Sequence, residues 1–199
     1  KARVADAIAA AERKTSGEIV AMITADSSSY HYTAYLWAAL VALALPWPFI
    51  YWTWWPVQHI YLLQILAFAA LALLFLWPPI RYRLVPTSVK RSRAHRRAVD
   101  QFLAQNLHTT AGRTGVLIFV SVAERYAEIL ADSGIHKMVS EGEWKSIVDE
   151  LTTTIGEGRA GDAFVAAVTA VGERLARHFP PGTVDPHQLP NHLIVLPSE

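Results

Sequence analysis

The sequence predicts an α/β domain that is interrupted by a two-helix transmembrane hairpin. Three observations lead to this fold class. No Asp, Glu, Lys or Arg occurs from Ser27 to Ile80, a run of 54 residues, whereas the other 145 residues carry all 35 charged side chains. Helical and strand patterns alternate on both sides of that run. The segment before it is too short to bury a core alone, so it must pack against the segment that follows.

Two elements precede the uncharged run. Residues 2–15 place Val4, Ile8 and Ala11 on one face of a helix. The next segment, Glu18–Thr24 (EIVAMIT), is rich in β-branched residues, which predicts a strand.

The uncharged run itself predicts two membrane spans. Residues 32–50 and 59–77 are apolar, and each has about the 20 residues needed to cross a hydrocarbon core of about 30 Å. The turn between them, 51–58, is rich in tryptophan, which favours the membrane interface. Pro46 and Pro48 are expected to break or kink the end of the first span. A buried hairpin of a soluble protein is the alternative, but a run of 54 uncharged residues cannot easily form a surface that is exposed to water.

Charge predicts the orientation of the spans. Seven basic residues follow the second span with no acid among them, and the hairpin turn has no charge. These residues are Arg81, Arg83, Lys90, Arg91, Arg93, Arg96 and Arg97. Excess Lys and Arg mark the cytoplasmic side, and two spans return the chain to the side it left. We therefore expect residues 1–30 and 81–199 to form one cytoplasmic domain, with 31–80 as the inserted hairpin and both termini in the cytoplasm.

The segment after the insert supplies the rest of the domain. Its apolar periodicities predict a helix from Thr87 or Ser88 to about Leu107, with Val99, Phe102, Leu103 and Leu107 as its apolar stripe. They also predict strands at 114–122 and 126–131, helices at 141–155 and 162–178, and a short edge strand at 192–196. The first strand is expected to run parallel to 114–122, and 126–131 to return as its antiparallel partner.

Five segments together resemble the TPM domain. They read TSGEIVAMIT, GRTGVLIFVSVAERYAEILADSGI, EGEWKSIVDEL, GDAFVAAVTAVGERLARHFP and LPNHLIVL. That family includes thylakoid-lumen proteins linked to photosystem II repair and many bacterial membrane proteins, and the hairpin resembles a bacterial branch located in the inner membrane. The resemblance implies an αβα sandwich with a mixed sheet. It also implies a disputed acid-phosphatase activity and, in some members, calcium binding.

Three acidic residues are the candidate metal ligands. Asp132 follows a predicted strand end, where α/β folds place their sites, and Glu141 follows it closely enough to fold back. Asp162 lies at a predicted helix start. Oxygen ligands suit calcium or magnesium, but three scattered acids predict weak binding at most. The competing interpretation is structural, with Asp132 in a turn or cap and Asp162 as a helix cap.

The seven basic residues after the second span are candidates for lipid headgroup binding. Such a cluster beside a span suits anionic headgroups, at about 1 kcal/mol per residue near the surface. The alternative is that they only determine topology. The position beside the bilayer already accounts for the charge, so no nucleic-acid partner is expected.

Two functional classes stay open. A chain without cysteine has no disulfide framework, thiolate zinc site or cysteine nucleophile. Because no complete catalytic constellation is visible, we favour a membrane-anchored, non-catalytic module that binds or helps assemble another membrane protein. A weak acid phosphatase that depends on a divalent cation is the alternative, and whether the chain is an enzyme is left open.

Overall fold

The computed structural model describes residues 1–28, 30–110, 112–181 and 193–197. It divides into two compact units, one of Lys1–Ser27 with Arg91–Glu199 and one of Ser28–Lys90. In chain order the elements are α1 (Ala2–Glu12), β1 (Glu18–Thr24), α2 (His31–Ala44), α3 (Pro46–Trp52), α4 (Val57–Leu76), α5 (Pro78–Leu84), α6 (Thr87–Ala104), a 3₁₀ turn (Leu107–Thr109), β2 (Gly115–Ser121), β3 (Tyr126–Ala131), α7 (Ser133–His136), α8 (Glu141–Gly156), α9 (Ala160–His178) and β4 (Leu193–Leu196).

The first unit is built around a four-stranded mixed sheet of order β3-β2-β1-β4. Strand β1 runs parallel to β2, with Glu18 opposite Gly115, and parallel to β4 on its other side. Strand β3 is antiparallel to β2. The predicted strand directions are therefore confirmed. The predicted last strand is present as β4, while His192, at its expected start, lies outside the described residues.

Helices cover both faces of the sheet. Successive residues of a strand point to opposite faces, and both sets are apolar in the central strands, so both faces have to be covered. On one face the sheet packs against α1, α8 and α9, and the buried residues there include Ile19, Ile118 and Phe164. On the other face the buried residues include Phe119 and Ala98 of α6. The unit is an αβα sandwich with a mixed sheet, as the family resemblance implies.

The apolar stripe of α6 differs from the predicted one. Ala94 and Ala98 are buried and Phe102 packs against the sheet, a spacing of four residues along one face. The prediction that Leu103 belongs to this stripe is wrong, because Leu103 is exposed. Small residues at positions 94 and 98 allow the helix to approach the sheet closely. Their pattern is hard to recognise in the sequence, because long arginine side chains surround these two alanines.

The second unit is a helical hairpin whose surface is largely apolar. Helix α2 ends at Ala44 and α3 begins at Pro46, so an interruption lies where Pro46 predicts it, although Leu45 between the two helices keeps helical backbone angles. The two segments long and apolar enough to cross a membrane are His31–Trp52, with 22 residues, and Val57–Leu76, with 20.

Small residues hold the hairpin together. Ala34, Ala38 and Ala42 lie one turn apart and are the buried residues of α2, which packs against α4. Side chains of this size let two helices approach closely in an apolar environment. The large apolar side chains, including Trp47 and Leu73, point outward instead. This distribution is typical of a surface that faces lipid rather than water.

The two ends of the hairpin lie next to each other. The rings of Tyr30 and Tyr82 meet edge to face with centroids 5.7 Å apart. Arg81 Nη1 is 2.7 Å from His31 Nε2, and the indole N–H of Trp37 donates to the carbonyl of Leu84. The chain therefore leaves the hairpin close to where it enters.

A capping box begins α8 and predicts a pH dependence. The backbone N–H and the hydroxyl of Ser140 both donate to the Glu143 carboxylate, at 3.2 and 3.1 Å. The backbone hydrogen bond first, and then the hydroxyl, lower the pKa of Glu143 below its ordinary value of 4.5. A lowered pKa stabilises the folded state above the ordinary value, and this contribution is lost as pH falls through the folded-state pKa.

We expect Glu143→Gln to lower the thermal midpoint slightly at neutral pH and to make no difference at pH values below the folded-state pKa of Glu143. Thermal unfolding of both proteins across acidic pH measures this. Parallel pH profiles for the two proteins would contradict it.

Candidate binding site along strand β3

Asp132 caps a short helix. It is the N-cap of α7, and its Oδ1 accepts hydrogen bonds from the backbone N–H of Ser133 at 2.6 Å and from the Ser133 hydroxyl at 3.1 Å. Its Oδ2 is buried without a hydrogen bond to the described residues and lies 4.0 Å from Arg113 Nη1. The structural interpretation of Asp132 as a cap is confirmed.

The other two candidate metal ligands lie in first turns of helices. Glu141 is exposed at the start of α8, and Asp162 in α9 forms an ion pair with Arg3 at 2.8 Å. Within the described part of the chain, no three His, Asp or Glu side chains form a group that could hold a metal ion. Asp132, Glu141 and Asp162 are therefore not brought together as one calcium or magnesium site. A metal-binding role for any of them stays a prediction.

The seven basic residues after the second span fall on two helices. Arg81 and Arg83 belong to α5, and Arg81 also lies 5.2 Å above the ring of Tyr82. The other five follow on α6: Lys90, Arg91, Arg93, Arg96 and Arg97. Headgroup binding by this set stays a prediction. Arg91 also lines a cavity, which is described below.

A groove of about 460 Å³ follows strand β3 along its length. Five consecutive strand residues, 127–131, line it, together with His136, Trp144 and Lys145. Successive side chains of a strand point to opposite faces, so consecutive residues share a cavity only where it runs along the strand's edge. All six residues of β3 are half-buried, which agrees with an edge that is not covered.

The backbone of β3 has hydrogen-bonding groups available on that edge. The N–H of Asp132 donates to the carbonyl of Gly115, so it points inward to β2. Backbone direction alternates along a strand, which turns the N–H groups of Ala127, Ile129 and Ala131 outward. These groups can pair with a further strand.

A second cavity, of about 550 Å³, lies at the start of the same edge. It is bordered by α6 on one side and α8 on the other, with the β2–β3 turn between them. Its lining includes Arg91, Ser92, His95, Arg125, Tyr126 and Asp149. Two helices from opposite faces can line one cavity only where the sheet ends between them, so the cavity crosses the edge.

A network of three side chains fixes the polar groups of this second cavity. His95 Nδ1 lies 3.0 and 2.9 Å from the two carboxylate oxygens of Glu128, and the Tyr126 hydroxyl donates to the same carboxylate at 2.9 Å. Burial raises the pKa of Tyr126 well above its ordinary value, and the Glu128 charge adds to the effect. Tyr126 therefore stays a neutral donor. This network has no signal in the sequence, because only the packing of α6 on β3 brings its members together.

A buried polar network joins the carboxyl ends of β1 and β2. The Ser27 hydroxyl donates to that of Ser121 at 2.8 Å, and Ser121 in turn donates to Glu124. The backbone N–H of Ser27 donates to the other Glu124 oxygen at 3.1 Å. These buried bonds fix the point where the chain leaves the sheet. Sequence reasoning missed them as well, since 97 positions separate Ser27 from Glu124.

Comparison with known proteins finds one family match. Residues 81–174 match the family model described as TPM domain. These residues, a little under half of the chain, carry a TPM domain. The matched segment contains strands β2 and β3, so β1 and β4 of the sheet lie outside it.

One solved structure shares the fold. It is the NMR structure of the BA42 protein from the psychrophilic bacterium Bizionia argentinensis, which is 21% identical with a TM-score of 0.58. The similarity covers 96% of this chain and 89% of that one. At this identity the likeness shows the fold alone. None of the curated proteins compared with the chain matches it.

Proposed function

We propose that this protein is a membrane-anchored interaction module that binds an extended segment of another membrane protein along strand β3. The observation that carries this proposal is the groove beside β3, which leaves the strand's outer edge uncovered over residues 127–131. Proteins usually protect such edges, since an unpaired edge is a template for another strand. Strand addition is a common way to recognise a peptide, with backbone bonds for affinity and side-chain pockets for specificity.

The walls of the groove support a peptide ligand. Trp144 and Val148 supply apolar surface, while Lys145 and Glu141 are exposed charges of both signs at the rim. Apolar walls with a polar rim are usual for interfaces between proteins.

Photo-crosslinking on the full-length protein tests this function. A photoreactive amino acid at Lys145, in the groove, is expected to capture a membrane protein, whereas the same group at the exposed Glu173 of α9 is not. Ala127→Pro removes one outward N–H and leaves the inward ladder to β2 intact, because proline is tolerated on edge strands. Loss of the Lys145 crosslink in Ala127→Pro supports strand addition.

Two results would contradict the proposal. One is a crosslink at Lys145 that Ala127→Pro leaves unchanged. The other is calcium- or magnesium-dependent phosphate release by the full-length protein that Asp132→Ala abolishes. The second result would favour the alternative function, a weak cation-dependent acid phosphatase.

The hairpin is the membrane anchor in this proposal, with the α/β domain and both termini in the cytoplasm. The basic residues that follow the hairpin support this orientation and supply contacts to anionic lipid. A reporter enzyme that works only in the cytoplasm is expected to be active when it is fused after Glu199. Activity of a periplasm-dependent reporter at the same position would reverse the orientation.

We further propose that residues 1–30 and 81–199 form one domain into which 31–80 is inserted. The adjacent ends of the hairpin support this, because a short linker can replace a segment whose ends meet. Replacing residues 31–82 by a Gly/Ser linker is expected to leave a soluble domain with a cooperative thermal transition. A broad, non-cooperative transition would mean that the domain depends on the hairpin for packing.

A further inference from the structure

The cavity at the start of β3 is lined by two arginine side chains that form no ion pair with the described residues. Arg91 comes from α6 and Arg125 from the β2–β3 turn. Neither guanidinium forms a hydrogen bond or an ion pair with the described residues. Guanidinium groups bind phosphate and carboxylate oxygens through paired N–H donors.

The backbone of Arg125 is held in a conformation that arginine disfavours. Its φ is 50°, in the left-handed region, where a side chain costs about 1–2 kcal/mol and glycine costs nothing. Strain of this kind persists where the surroundings impose it, and it is concentrated at functional sites. At this turn the strained residue is an arginine, and its side chain lines the cavity. A glycine in its place would relieve the strain but supply no charge to the cavity.

His95 and Tyr126 complete the polar wall. Because Glu128 engages His95 Nδ1, the other ring nitrogen is the one left for a ligand in the cavity. The Glu128 charge is shared between His95 and the Tyr126 hydroxyl. Ser92 and Thr152 add hydroxyl groups to the lining, and Asp149 faces the cavity from α8.

We propose that this cavity binds a phosphodiester monoanion, with Arg91 and Arg125 on its two unesterified oxygens. The two guanidinium groups can each donate hydrogen bonds to one of the two unesterified oxygens of a phosphodiester. The carboxylates of Asp149 and Glu128 oppose a ligand of higher negative charge, so a phosphate monoester dianion binds less well. A phosphodiester is the chemistry of glycerophospholipid headgroups and also of their soluble deacylated forms. The site does not depend on strand addition to β3, and neither its probes nor its variants need a peptide partner.

The experiment uses the full-length protein in detergent at neutral pH, with two probes. Soluble glycerophosphoglycerol is titrated by phosphorus NMR, and bound phosphatidylglycerol is measured by native mass spectrometry. We expect Arg125→Gly to weaken binding about tenfold or more, the effect of losing a charge-assisted hydrogen bond of about 1.5–3 kcal/mol. The same variant relieves backbone strain, so its thermal midpoint is expected to be equal to or above that of the wild type.

Arg113→Gly is the matched control. Arg113 is also an exposed arginine in the left-handed region, with φ of 53°, but it does not line the cavity. It is expected to bind both probes as the wild type does. Asp149→Asn is expected to improve binding of glycerol phosphate, a monoester, relative to the diester.

The two probes identify the source of the ligand. If the wild type binds glycerophosphoglycerol and Arg125→Gly weakens this binding, the site is assigned to soluble phosphodiesters. If the wild type retains phosphatidylglycerol alone and Arg125→Gly weakens that binding, the site is assigned to lipid. Unchanged binding in Arg125→Gly, an equal loss in Arg113→Gly, or no binding of either probe by the wild type would overturn the proposal.

Discussion

Replacing Trp144 by alanine is expected to lower the free energy of unfolding by about 3–5 kcal/mol, as truncation of large buried aromatic residues does. Trp144 is 8% exposed and belongs to the core between the sheet and helices α8 and α9. Ile147 and Leu151 of the same helix are buried beside it. Its removal leaves a cavity that these neighbours cannot fill without moving α8.

Trp144→Phe separates packing from hydrogen bonding. The indole N–H of Trp144 is buried and makes no hydrogen bond to the described residues, so phenylalanine loses volume but no polar contact. We expect this variant to retain most of the stability. Chemical denaturation of the three proteins measures the difference, and an unchanged midpoint for Trp144→Ala would place this side chain outside the core.

Replacing Gly172 by leucine is expected to destabilise the domain by about 3 kcal/mol or more. Gly172 is buried in α9 where it crosses α1, and a Cβ built on it would lie 2.6 Å from the Ala11 Cβ. Inserting extra methylene groups at such a contact forces the helices apart, which typically costs about 1–3 kcal/mol and more for several atoms. The gain in helix propensity, about 1 kcal/mol, offsets only part of this cost.

Gly161→Leu is the matched control, because it lies in the same helix and has no atom within 4 Å of the built Cβ. It is expected to leave the midpoint of denaturation unchanged or raise it. Ala11→Gly should recover part of the loss in a Gly172→Ala background, since it removes the opposing methyl group. Equal effects at positions 161 and 172 would show that α1 and α9 do not press on each other there.

The sequence predicted the elements of the domain well because their apolar patterns are local. The strands at Glu18–Thr24 and 126–131 were bounded correctly, since β-branched and apolar runs are flanked by glycine, charge or turn residues. The buried face of α6 was predicted less well, because alanines at 94 and 98 carry little hydrophobic signal between arginines. Helix α7 has no helical signal in the sequence, since four residues are too few for a periodic pattern.

The site was harder to predict than the fold. Asp132 stands out in the sequence, and the cap that it forms is a usual role for aspartate before a helix. His95 and Glu128 are 33 positions apart, and only the packing of α6 on β3 brings them together. The left-handed backbone of Arg125 has no sequence signal either, because turns of this kind are usually recognised by glycine or asparagine.

The parallel pairing of β1 with β2 has a consequence for the biogenesis of the protein. The residues that join the two strand ends, Ser27 and Glu124, are 97 positions apart. At a synthesis rate of about 5–20 residues per second, β1 leaves the ribosome roughly 5–20 s before its partner strand exists. The whole hairpin is made during that interval. Its helices are therefore available to the insertion machinery before the sheet can close, and the nascent β1, an apolar strand, has to be kept from aggregating until β2 has been made.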